Sequence, residues 1–295
     1  MAESNVVITV FFQQALNGII LGSLYMLVAL GLFLIFGILE VTNFAHGEFY
    51  MLGAFATLFV MTGLGVPFLP AVVLAMLLMA AFGVLVERVV FRPIVGKPLI
   101  NGMLLSFGLS TFLTNLALLL FTADPRKIES EFAEVHLRFL GLHVTLERLL
   151  ALVVGVALAG FLAYFIQHTK TGKAMRAVAQ DRIAAQMAGI PVFRIYAVTF
   201  AIGSMLASAA GSMVGAIFLV SPDMGWTVVL KAFIVVILGG MGNIGGIVCA
   251  SLFIGLVESL GGGFVSYAYK DAYPFLLLVL AFLLRPEGLM GGRKA

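Results

Sequence analysis

Apolar residues run along this chain in long blocks that polar residues interrupt only at intervals. Blocks at 8–38, 49–64, 66–86, 100–122, 147–167, 195–220, 227–239, 247–264 and 272–284 read as helices, because about 20 residues of helix cross the ~30 Å apolar layer of a bilayer. Pro67 and Pro70 split one long block, and the run Gly239-Gly-Met-Gly-Asn-Ile-Gly-Gly246 breaks another. The expected fold class is all-α: a polytopic membrane protein of about eight or nine transmembrane helices, with broken or re-entrant segments and a short cytoplasmic helix. The apolar run after Met1–Asn5 is too long for a signal peptide and reads as a retained span.

Two polar segments stand out between the blocks. In 123–146, Asp124, Glu129, Glu131 and Glu134 precede an alternation in which Val135, Leu137 and Phe139 are followed, after Gly141, by Leu142 and Val144. A short surface hairpin and an irregular loop both suit that pattern. In 168–194, Lys170, Lys173, Arg176, Arg182 and Arg194 face a single Asp181. Thr171 is placed to cap a helix here, alanine and straight side chains fill it, and Gly189 with Pro191 stops it. Such a helix, strapped between two spans, suits a soluble partner. Lys and Arg gather in 87–98, in 168–194 and in the tail (Arg285, Arg293, Lys294). This puts those segments in the cytoplasm and the acidic 123–146 loop outside. Nine crossings then place the N-terminus outside and the C-terminus inside.

Composition narrows the class further. The chain is 62% hydrophobic and 11% charged, against roughly 25% charged in a soluble domain, and its mean hydropathy is +1.15. One continuous transmembrane domain, 1–295, accounts for it. A single cysteine, Cys249, excludes an intrachain disulfide and a multi-cysteine metal site, and the four scattered histidines lack ligand spacing, so no metal is expected. The net charge of +3 is too small and dispersed for nucleic acid. No G-x-x-x-x-G-K-[ST] phosphate loop occurs, so if ATP drives the protein another chain binds it.

Within the apolar blocks, Gly203, Ala207, Gly211 and Gly215 form a row of small residues, with Ser204, Ser208, Ser212 and Ala216 beside it and a similar Gly18/Gly22 pair in the first block. Helix packing and a pore lining both use such rows. Asn43-Phe-Ala-His-Gly-Glu48 is a polar interruption; Asn43 as a helix cap with Glu48 in the first turn, or His46 and Glu48 in a gating role, are the two readings. Lys231 suits snorkelling and Glu258 an interfacial position, or both suit a zwitterionic solute. Asn17, Asn101 and Asn115 are candidate interhelical hydrogen-bonding groups, and Asn243 lies in the glycine-rich break, which is tolerated at membrane depth only in protein or facing water.

Several of these stretches together resemble the permease subunits of bacterial branched-chain amino acid ABC importers. They are Asn17-Gly-Ile-Ile-Leu-Gly-Ser-Leu-Tyr25, the Asn43–Glu48 stretch, Glu87-Arg-Val-Val-Phe-Arg-Pro93, Thr171-Gly-Lys-Ala-Met-Arg-Ala-Val-Ala-Gln-Asp181 through Gly189-Ile190, Lys231-Ala-Phe with Leu238–Gly246, and Arg285-Pro-Glu-Gly-Leu289. They occur in order over nearly the whole chain, and the arrangement is similar to the subunit of the pair with the shorter N-terminus. The resemblance implies a bacterial inner-membrane, multi-pass location. It implies a second, related permease subunit, two cytoplasmic ATPase subunits that hold the ATP and Mg, and a periplasmic substrate-binding protein, with no cofactor on this chain. It makes 172–190 the coupling helix, carried by Gly172, Lys173, Arg176, Asp181, Arg182 and Gly189. Asn17, Asn43, His46, Glu48, Lys231, Asn243 and Glu258, the polar residues within or between the apolar blocks, are the candidates for a translocation path. Permeases of this kind also serve urea, short amides and other amino acids. A secondary transporter or channel remains the rival from another class, with Glu48 and Glu258 as its only inner acids. A membrane enzyme has no catalytic constellation here.

Overall fold

The computed structural model describes residues 2–139, 141–240 and 242–284; the tail motif Arg285–Leu289 and the tail cations Arg293 and Lys294 lie outside them. The helices are α1 (Ala2–Leu39), α2 (His46–Leu64), α3 (Phe68–Val86), α4 (Leu99–Phe121), α5 (Leu146–His168), α6 (Lys170–Gln180), α7 (Arg182–Met187), α8 (Val192–Ile217), α9 (Met224–Gly239), α10 (Ile244–Phe264) and α11 (Ala272–Leu284). Among the described residues seven helices are long and apolar enough to cross a membrane, and Met224–Gly239 and Ala272–Leu283 are shorter apolar helices. Each of the nine apolar blocks is thus a helix of its own. Pro67 stands as the N-cap of α3, where its missing N–H costs nothing.

The architecture is organised on α1. Leu27, Val28, Ala29, Leu30 and Leu32 are all fully buried, so this stretch is enclosed on every face. It packs on α10, α8, α9 and α5. The α1–α10 contact is backbone against backbone: a Cβ on Gly18 or Gly22 would stand 2.8 Å from the Cα of Leu256 or Leu252. Without a driving force between apolar chains and lipid, such close approach is what holds membrane helices together. At the periphery the pattern inverts. Leu77 and Leu78 on α3, Leu104 and Phe112 on α4, and Val153 and Val156 on α5 are exposed, an apolar exterior that suits lipid.

Two breaks of the chain come together inside this bundle. After α1 it turns at Glu40, whose φ of 55° lies in the left-handed region, and restarts as α2. After α8 it turns through 218–223 and restarts as α9. The two restarts meet, with the backbones of Gly47 and Gly225 in direct contact and no room for a Cβ on either.

The loop after α4 ends in an antiparallel hairpin, β1 (His136–Phe139) and β2 (Leu142–Thr145), with Gly141 at φ 82° in its turn. The alternation in the sequence is therefore a hairpin and not an irregular loop. Gln13 pins it to α1: its Nε2 donates to the His143 carbonyl at 3.0 Å, and its Oε1 accepts the His143 N–H at 2.9 Å. α6 and α7 lie at the other end of α5, so the hairpin and the short helices occupy opposite ends of the bundle.

The polar segment 168–194 forms two helices rather than the single one expected. Thr169, not Thr171, caps α6, accepting the Gly172 N–H at 2.9 Å. Asp181 ends α6 and caps α7, accepting from Ile183 and Ala184 at 2.8 and 2.9 Å. A side chain that satisfies two N–H groups of a new helix competes with continuing the old one. Gly189, at φ 81°, ends the segment.

Candidate functional site

A cavity of about 470 Å³ opens between α1, α5, α8, α9, α10 and the segment after α10. Its floor holds an ion network. Lys231 on α9 donates to Glu258 Oε1 on α10 at 2.8 Å, to Asp271 Oδ1 at 2.6 Å and to the Tyr25 hydroxyl on α1 at 3.0 Å. Tyr25 in turn donates to Glu258 Oε2 at 3.0 Å. Lys231 is 3% exposed and Glu258 5%, so the lysine ammonium ends in a buried ion pair rather than reaching out to water. The charges are tolerable because they are paired and hydrogen-bonded. Higher on the wall, Arg148 of α5 donates to Asn17 Oδ1 of α1 at 2.9 Å. Gln14, Ser259 and Lys270 add polar groups, while Leu21, Leu24, Val214, Ile217 and Val228 supply an apolar wall.

The Asn43–Glu48 stretch lies elsewhere, at the junction of the two broken helices. Asn43, His46 and Glu48 are buried. Glu48 is in the first turn of α2 as expected, and its Oε1 accepts from Ser110 on α4 at 2.8 Å. Asn43 is not the cap. The N-cap position falls on Ala45, and neither polar atom of the Asn43 side chain has a hydrogen-bond partner. The His46 ring faces Gly31, where a Cβ would come within 2.8 Å of Nε2.

The other asparagines divide. Asn17 bonds across to α5, but Asn115 bonds within its own helix, to the Thr111 carbonyl at 2.8 Å, and Asn101 is exposed. Asn243 caps α10, accepting the Gly246 N–H at 3.2 Å. Each member of the first small row meets a neighbour: Gly203 the Ile35 side chain, Gly211 the Tyr50 carbonyl, and Gly215 the side chains of Ile128 and Val220, while Ala207 is fully buried. The serine row packs beside it, with Ser204 against Gly83, Ser208 against Gly53, and Ser212 Oγ 2.7 Å from Thr57 Oγ1. No member of either row lines the cavity, although the neighbouring Val214 and Ile217 do, as does Tyr50, on which Gly211 packs.

At the short-helix end, Gly172 packs on the Ile166 backbone, Lys173 is exposed, and Arg176 is exposed and donates to the Gln167 carbonyl at 3.4 Å. Arg182 lies over the Tyr196 ring at 5.7 Å. The conspicuous surface feature is apolar: Ile183 is 70% exposed and Met187 79%. They sit four apart on α7, and so share one face of the helix. Near this end, Glu87 and Arg92 make a two-pronged pair at 2.8 and 3.0 Å, with Arg92 5.2 Å from the Phe193 ring of α8.

Sequence reasoning overlooked Tyr25, Arg148, Lys270 and Asp271. The bonds of Tyr25 and Asp271 to Lys231 span 206 and 40 positions, and that of Arg148 to Asn17 spans 131; no local spacing encodes them. Ile183 and Met187 were legible as an i, i+4 apolar pair in a polar segment. Among the described residues no group of three or more His, Cys, Asp and Glu could hold a metal ion.

Helices that stop and restart inside an apolar bundle, beside an open cavity with charged groups at its floor, suit a protein that passes a polar solute through the membrane. The class is a membrane permease. Residues 14–282 match the family described as branched-chain amino acid transport system / permease component, and the chain belongs to this family. The high-affinity branched-chain amino acid transport system permease protein LivH of Escherichia coli K12 is 32% identical, over 95% of this chain and 96% of that one. BraD of Pseudomonas aeruginosa, with the same description, is 33% identical over 95% and 96%. LivM of Escherichia coli K12, also a permease protein of the high-affinity branched-chain system, is 26% identical over 90% of this chain and 68% of its own.

Proposed function

We propose that this chain is one membrane-spanning subunit of an ATP-driven importer for branched-chain amino acids in a bacterial inner membrane. The observation that carries the reading is the family match, which runs through nearly the whole bundle from residue 14 to 282. A related permease chain pairs with it in the membrane, consistent with both LivH and LivM being similar to this chain. Two ATPase subunits bind and hydrolyse the ATP, since this chain has no phosphate loop, and an external binding protein delivers the solute. The chain acts as a single permease domain and binds no cofactor. The hairpin and N-terminus face outward, and α6, α7 and the C-terminus face the cytoplasm, following the distribution of Lys and Arg. At that inner end α7 docks the ATPase, with Ile183 and Met187 as its apolar knobs and Lys173 and Arg176 on the charged flank.

The test is uptake of labelled leucine into proteoliposomes holding this chain, its permease partner and both ATPases, with loaded binding protein outside and ATP inside. Uptake that needs every component supports the reading. Saturable leucine flux by the isolated chain, without ATP, would point to a secondary transporter instead.

A further inference from the structure

The hydrogen-bonding capacity of the cavity walls determines what they can still hold. The Lys231 ammonium has three N–H groups, and Tyr25, Glu258 and Asp271 take all of them. Glu258 is engaged at both oxygens, by Lys231 and by the Tyr25 hydroxyl. The buried pair therefore offers nothing to a solute unless it first comes apart. Three groups on the same cavity stay open. Among the described residues, Arg148 spends one N–H on Asn17, Lys270 bonds only to the Tyr267 hydroxyl at 3.1 Å, and Asp271 has its Oδ2 unengaged. Two unsaturated cations and one unsaturated carboxylate oxygen are the complement of a zwitterion. The cavity lining carries Arg148, Lys231 and Lys270 against Glu258 and Asp271, an excess of one positive charge that favours the carboxylate end of a ligand. Leu21 of α1, Ile217 of α8 and Val228 of α9 line the same cavity with apolar side chains.

We propose that this cavity is a transit site for a free amino acid with an apolar side chain. Arg148 and Lys270 receive the α-carboxylate, Asp271 Oδ2 receives the α-ammonium, and the α1/α8/α9 wall receives the side chain. Lys231 is a positioning residue that holds Asp271 at the cavity. A second charge on the ligand's side chain would meet only apolar atoms, which disfavours acidic and basic amino acids. The volume, about 470 Å³, lies within the usual range of small-molecule sites, ~300–1,000 Å³. The proposal rests on the importer reading above and adds its substrate-contacting residues.

The experiment uses the complete complex in proteoliposomes. Arg148→Gln and Asp271→Asn should each lower leucine uptake about tenfold, the effect of losing one charge-assisted hydrogen bond, with melting temperature and ATPase recovery at the level of the unaltered complex. A second measurement does not depend on those variants folding. In a Cys249→Ala background, Val228→Cys should be alkylated by a polar maleimide. Leucine should slow that alkylation, whereas 4-methylpentanoate, which lacks the ammonium, and isopentylamine, which lacks the carboxylate, should protect about tenfold less. Protection by 4-methylpentanoate equal to that by leucine, or no protection by leucine while uptake persists, overturns the transit site. Unchanged uptake in both Arg148→Gln and Asp271→Asn does so as well. An unaltered complex that assembles with its ATPases but takes up no leucine overturns the importer reading itself.

Discussion

Gly211→Leu offers a sharp test of how this bundle is held together. Gly211 sits in α8 against the carbonyl of Tyr50 in α2, and any Cβ there overlaps that backbone oxygen. The obstacle is main chain, so it cannot rotate away; α2 and α8 must separate. On the same seam Gly53 packs on Ser208, and Ser212 hydrogen-bonds Thr57 at 2.7 Å. Separation strains both contacts. Overpacking costs ~1–3 kcal/mol and the lost hydroxyl contact ~0.5–1.5 kcal/mol, against a gain of up to ~1 kcal/mol from replacing a helical glycine. The net expectation is a loss of about 2–3 kcal/mol, or on the order of 3–6 °C in melting temperature for a chain of this size. Gly160→Leu on α5 is the control, since nothing lies within 4 Å of its Cβ direction, and it should melt with the unaltered protein or slightly above it. Gly261→Leu should fall between them. The Tyr273 ring lies 2.7 Å from its Cβ position, and a ring can shift where a carbonyl cannot. The assay is thermal unfolding in mild detergent at matched expression. Equal melting of Gly211→Leu and Gly160→Leu would refute the packing argument.

Lys231→Met should destabilise the fold by about 3–5 kcal/mol, because it strands the Glu258 carboxylate in the interior; the double change Lys231→Met with Glu258→Leu should recover most of the loss, and a double variant no better than the single one would count against the ion network as the cause. Ile183→Ser combined with Met187→Ser should abolish ATPase recovery on purification while leaving the melting temperature within about 1 °C, since exposed substitutions change stability little. Full ATPase recovery would remove α7 as the docking element. Asp181→Ala should cost about 1 kcal/mol in the cap of α7, seen as faster amide hydrogen exchange in 182–187 than in α8, and unchanged exchange would mean that the cap does not hold α7.

The apolar blocks determined by themselves that this chain is a bundle of membrane helices, because the bilayer demands about 20 apolar residues per crossing whatever the neighbours are. Breaks at Pro67, at the polar Asn43–Glu48 stretch and at the glycine run of Gly239–Gly246 were legible for the same local reason: a proline, a run of glycines or clustered polar groups interrupts a helix in lipid, whereas spaced glycines within one pack it. The polar segment after α5 was visible as helix, but its division at Asp181 was not. A lone aspartate reads equally well as a surface charge or as a cap until the backbone around it is known. Asn43 misled in the opposite direction, having the chemistry of a cap without the position of one.

What only the tertiary structure decided is which distant side chains meet. Lys231, Glu258, Tyr25 and Asp271 come from α9, α10, α1 and the segment before α11. Each alone has an ordinary local explanation, as a snorkelling cation, an interfacial acid or an aromatic packed within a span. Burial removes water as a partner for Lys231, Glu258 and Tyr25, so these groups must satisfy one another, and that requirement acts through space and leaves no period in the sequence. The small rows of α8 are the intermediate case: their spacing announces a close-packed face, but only the fold shows that the face meets α2 and α3 while the cavity opens elsewhere.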